Sequence, residues 1–101
     1  MLKSDFIAAA ADMFRVSPET LTSYEKPKTL MPARFALYKA LRLRGWSYPQ
    51  IGRTLNRDHS SVIYGVRRAD WLMDRDPGYA KKVRLLAELK IVREQTVAIA
   101  N

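Results

Sequence analysis

Two helix starts crowd into one short stretch, "SYPQIGRTLNRDHSSV", residues 47–62, and they constrain the chain more than any other feature. Ser47 and Gln50 have the S-x-x-Q spacing of a capping box, in which each side chain satisfies a backbone N–H that the helix leaves orphaned. Pro49 falls in the first turn, where its missing N–H costs nothing. This helix, starting at Tyr48, can run only to about Leu55, because Asp58 is the N-cap of a second one. Helices joined so tightly must cross. Their apolar positions, Ile51 and Leu55 on the first and Val62, Ile63, Val66, Ala69 and Met73 on the second, must then share one core.

The rest of the chain reads as helix too, with no convincing strand, so the expected class is all-α. Ser4 is placed to cap a first helix reaching about Phe14, with Asp5 near its positive end. In "VSPETL", Ser17 caps a short second helix with Pro18 at its first position. Pro27 and Pro32 then disfavour helix at the residues before them, which makes "TSYEKPKTLMP" a basic loop. From Pro32 a helix runs to Gly45. Ala36, Leu37, Ala40, Leu41 and Leu43 share its packing arc and Arg34, Lys39 and Arg42 a cationic one, on which Phe35 has no evident role. Asp76 and Pro77 open a last helix, about 77–97, whose apolar residues spread widely around it, and the tail "TVAIAN" is expected to fray. The chain contains no internal repeat.

One domain fits this length, 101 residues with 48% hydrophobic and 28% charged. Against 10 acids stand 18 lysines and arginines, a net charge of +8. They concentrate between Lys26 and Arg68, where Asp58 is the only acid. Such a surplus favours a polyanionic partner, because neutralised phosphates release counterions. Nucleic acid comes first and an anionic membrane second. The absence of cysteine excludes disulfides, a thiol nucleophile and a cysteine zinc site, and one histidine is too few for another metal centre. The start, "MLKSDFIAAAADMF", is neither signal peptide nor membrane span, so a cytoplasmic, nucleoid-associated protein is expected.

Asp58, His59 and Ser60 in a row invite an enzymatic reading. A triad needs the base to touch both partners, and neighbours 100° apart on a helix point away from one another. The chain is therefore read as a binder with no catalytic residues, no metal and no cofactor. Two short helices with a tight turn, the second opening on short polar side chains, have the geometry of a helix-turn-helix over about 47–73, which places the start of the second helix in the major groove. Ser60, Ser61, Tyr64, Arg67, Arg68 and Trp71 form that helix's polar side. Arg67 and Arg68 suit the DNA backbone, and Trp46 and Trp71 suit packing rather than base stacking.

The two motifs resemble those of the C-terminal DNA-binding domain of the bacterial replication initiator DnaA. "NRDHSSV" matches that family's G-R-D-H-[ST]-[ST]-V and "SYPQIG" its S-L-P-E-I-G, with the likeness extending over roughly Asp5 to Leu89. The resemblance implies double-stranded DNA as partner. It places Asp58, His59 and Ser60 at bases in the major groove, Ser61 at base or phosphate, Pro49 against a thymine methyl and Tyr48 beside it at the backbone. Arg34 falls on a phosphate-contacting position and Arg57 on the family's arginine, while Lys39, Arg67 and Arg68 complete the phosphate-binding set.

Departures from the family are specific. The approach to Arg57 is one residue shorter and lacks the usual two glycines. Glu25 stands where a minor-groove arginine is common, leaving Lys26 and Lys28 as substitutes, and Leu41 replaces a common phosphate-binding lysine. The G-x-x-x-x-G-K-[ST] loop of an intact initiator is missing. The chain is thus either an excised domain or, as its start and long last helix favour, a small stand-alone relative. Two functions follow. One is sequence-preferring duplex binding, at sites like those of DnaA, that regulates transcription or replication initiation. The other is a protein-docking module in a replication or nucleoid assembly with non-specific DNA affinity. Oligomeric state and chromosomal or phage origin are not written in the sequence.

Overall fold

The computed structural model describes residues 2–23 and 30–89. Among them run helices α1 (Leu2–Phe14), α2 (Pro18–Thr22), α3 (Met31–Leu43), α4 (Tyr48–Leu55), α5 (His59–Arg75) and α6 (Pro77–Ala87), with no strand. Glu25, Lys26 and Lys28, the basic segment around them, and the tail from residue 90 lie outside the described residues.

Local chemistry sets most of the boundaries. Ser17 accepts from the Thr20 N–H at 3.0 Å, and Asp76 caps α6 by accepting from the Tyr79 N–H at 3.1 Å. Each cap satisfies one orphan donor and stabilises its helix by about 1 kcal/mol. Ser4, by contrast, lies inside the first turn of α1, which already begins at Leu2. A serine there gains nothing as a cap, because all its backbone is helical. The last helix ends at Ala87 rather than in the mid-nineties. There Arg44 donates to the carbonyls of Ala87 at 3.2 Å and Leu89 at 2.8 Å, and a cation on terminal carbonyls is a favourable stop.

Helix α3 lies at the centre, packed against α1, α5 and α6. Ala36, Leu37, Ala40 and Leu41 are buried as the pattern predicts, but so are Phe35 and Arg34 on the arc expected to be cationic. A helix enclosed on several sides has no single solvent face, and this explains Phe35. Leu43, at the helix's exposed end, is 51% exposed although it belongs to the packing arc. The crossing of α3 and α5 is tight at Gly65. A Cβ there would stand 2.5 Å from Tyr38 Cδ2 and 2.9 Å from Phe35 Cδ1, so only glycine admits these rings. Tyr79 ties α6 to the start of α3 by donating its hydroxyl to the Pro32 carbonyl at 2.6 Å. Burial pushes its pKa up, which keeps it a neutral donor.

Candidate nucleic-acid interface

The turn between α4 and α5 is built by three local devices. The capping box forms in full, Ser47 accepting from the Gln50 N–H at 3.1 Å and Gln50 from the Ser47 N–H at 3.4 Å. Asn56 then takes the left-handed conformation, φ 56° and ψ 52°, which asparagine tolerates and which ends α4. Arg57 N–H closes the turn onto the Gly52 carbonyl at 2.7 Å. This close approach requires the glycine, since a Cβ at 52 would lie 2.6 Å from the Arg57 carbonyl oxygen. The left-handed Asn56 thus makes the reversal between α4 and Arg57.

Asp58 caps α5, its carboxylate accepting from the Ser60 N–H at 3.2 Å. His59, Ser60 and Ser61 follow on the first turn, all exposed, and among the described residues no hydrogen bond engages their side chains. Pro49, Asp58 and His59 line one open depression between α4 and α5 together with Gly52, Arg53 and Arg57. The structure thus brings together the proline of one motif and the Asp-His of the other. Arg53, exposed on the last turn of α4, was not among the expected contacts. Its position one turn after Pro49 on the same helix is the signal that could have found it.

The expected phosphate contacts divide. Arg67 is exposed. Arg57 is half-buried and donates to the carbonyls of Thr22 at 3.0 Å and Ser23 at 2.5 Å. Arg68 lies with its guanidinium 4.8 Å from the centre of the Trp71 ring, and Arg75 covers the same ring at 4.0 Å. Trp71 is accordingly no core residue but 44% exposed, whereas Trp46 packs on the core. Tyr48 is half-buried beneath the Arg42 guanidinium, 4.4 Å from its ring centre.

Lys39 lies 2.7 Å from the Asp70 carboxylate, an ion pair at the surface. One expectation needs correction. Arg34 is 3% exposed, and its guanidinium donates to the carbonyls of Leu21 at 2.7 Å, Thr20 at 3.1 Å and Ser23 at 2.6 Å. A charge buried and committed in this way is a structural element, not a surface contact. Leu41, 1% exposed, is likewise part of the core.

A short α4, a glycine-seated turn and an α5 whose first turn stands free define a helix-turn-helix domain. Residues 4–69 match the family described as the bacterial dnaA protein helix-turn-helix. The chain belongs to this family, a DNA-binding one. Relatives include the chromosomal replication initiator proteins DnaA of Xanthobacter autotrophicus, 33% identical over 86% of this chain, and Bartonella quintana, 36% identical over 80%. That of Gluconobacter oxydans is 42% identical over 57% of the chain. The chain spans 18%, 17% and 12% of their respective lengths. Among the described residues, no helix is long and apolar enough to cross a membrane.

Proposed function

We propose that this domain binds duplex DNA with sequence preference, inserting the first turn of α5 into the major groove. The observation that carries the reading is the exposed and unengaged run His59, Ser60 and Ser61, set beside Pro49 and cations. Asp58 can accept from cytosine N4, the serine hydroxyls can donate or accept, and His59 does either according to tautomer. Arg53 and Arg67, both exposed, supply positive charge on α4 and α5 that fixes register on phosphates, while Arg57, half-buried and donating to the Thr22 and Ser23 carbonyls, holds the turn. DnaA-box-like sites are the expected target class, with regulation of replication initiation or transcription as the consequence of occupancy.

Binding rather than catalysis is also part of the proposal. One oxygen of the Asp58 carboxylate accepts from the Ser60 N–H, and among the described residues no hydrogen bond joins His59 to Asp58 or Ser60. Selection from randomised duplexes tests the reading. A recovered motif that still binds at moderate salt and weakens on base substitution supports it. Recovery of unrelated sequences, with binding governed by salt alone, contradicts it and favours a protein-docking module.

A further inference from the structure

Helix α4 is seated in the core by Ile51, Gly52 and Leu55, all of which follow its opening residues. Those opening residues, Tyr48, Pro49 and Gln50, are not buried. The capping box closes Ser47 onto Gln50, which orders the start of α4 without fixing it to another helix. Arg42, in the last turn of α3, supplies that tie. It donates to the Trp46 carbonyl at 2.8 Å and lays its guanidinium 4.4 Å from the centre of the Tyr48 ring. Its own carbonyl accepts from the Gly45 N–H at 2.9 Å, and Gly45 takes φ 96°, a conformation that favours glycine. One residue thus spans the whole connection between α3 and α4.

A guanidinium suits this place because it is planar, stacking on a ring while its N–H groups donate in the plane. Arg42 is half-buried, with a carbonyl and a ring as its partners. Pro49, the next residue after Tyr48, is exposed and lines the depression that holds Asp58 and His59. Its side chain has no polar atom to bond, so it takes its place from the backbone on either side. A shift at the start of α4 therefore moves Pro49 relative to His59, which the Asp58 cap seats on α5. We propose that Arg42 is a positioning residue for base discrimination: without touching DNA, it sets Pro49 against the first turn of α5. The inference rests on the proposed DNA binding.

Arg42→Met keeps an apolar stem and removes the guanidinium. The experiment measures affinity for the selected duplex and for each of its single base substitutions, together with the salt slope. Wild type, Arg42→Met, Pro49→Ala, the combination of these two, and His59→Ala are compared. Arg42→Met is expected to lose about fivefold in discrimination at the positions that Pro49→Ala weakens, the low end of what one base pair is worth. Discrimination at the positions that His59→Ala weakens should be kept, and the salt slope should stay where it was. In the combined variant the two losses should not add, as sites acting through one another are non-additive.

A slope lower by about 0.9 would make Arg42 a direct phosphate contact and overturn the proposal. Unchanged preferences in Arg42→Met, a loss spread over the His59 positions as well, additive losses in the combined variant, or no effect of Pro49→Ala would each overturn it too. Circular dichroism and thermal melting establish that each variant is folded at the assay temperature. Should Arg42→Met fail to fold, Arg42→Lys keeps the charge and a donor but not the planar stack. Its discrimination must fall at the same positions, and an unchanged preference there counts against the tie. A wild type without base preference removes the proposed function and this inference with it. A discriminating wild type beside an equally discriminating Arg42→Met overturns the inference alone.

Discussion

The first turn of α5 carries His59, Ser60 and Ser61 exposed, with their side chains bonded to nothing among the described residues. At the other end of the same helix, polar and aromatic groups pair off. Arg68 and Arg75 stack on Trp71, and Asp70 takes the Lys39 ammonium at 2.7 Å. One end carries small polar side chains left open and the other charged and aromatic ones that pair with each other. Cation–π pairs and surface ion pairs each stabilise by only about 1 kcal/mol or less, so the far end gains modest rigidity. The near end leaves the hydrogen-bonding capacity of its side chains for a ligand, while its first backbone N–H groups are taken up by Asp58.

This contrast can be broken most forcefully at the turn that aims the near end. Gly52→Ala drives a Cβ into the Arg57 carbonyl, which is backbone and cannot rotate away. The expected cost is about 1–3 kcal/mol of stability together with loss of specific duplex binding, read by thermal melting and fluorescence anisotropy. Retention of both would mean that the turn is not held as described. His59→Ala comes next. It should leave the melting temperature nearly unchanged and cost about 1–3 kcal/mol on the preferred duplex only.

Arg67→Ala probes the flank of the near end. Affinity should fall alike on all sequences, with the salt slope reduced by about 0.9; a slope equal to that of the wild type removes Arg67 from the interface. The smallest effect is expected at the far end. Trp71→Ala should cost less than about 1 kcal/mol of stability and leave duplex affinity and preference as they were. A marked drop in affinity would show that the far end also meets DNA and would dissolve the distinction between the two.

Four helix starts were legible in the sequence because their caps are local, whereas Ser4, read by the same rule, lies inside α1. Ser17, Ser47, Asp58 and Asp76 each act within three residues of themselves, and each caps the helix assigned to it. The first turn of α5 was legible because its polar residues His59, Ser60 and Ser61 precede the first core position, Val62. Arg34 and Lys39 were not, because their partners, the α2 carbonyls and Asp70, lie far along the chain. A helical wheel assumes one buried face, while α3 is surrounded. The wheel therefore misplaced Arg34 and Phe35 as surface residues, and Leu43 as core.

Base reading by His59 is the central claim, and competition between duplexes tests it most directly. A preferred duplex from the randomised selection is set against variants with single base substitutions, for wild type and His59→Ala side by side. The account predicts that the wild type discriminates at a position where His59→Ala no longer does, with discrimination elsewhere retained. Identical preferences in the two proteins would contradict it.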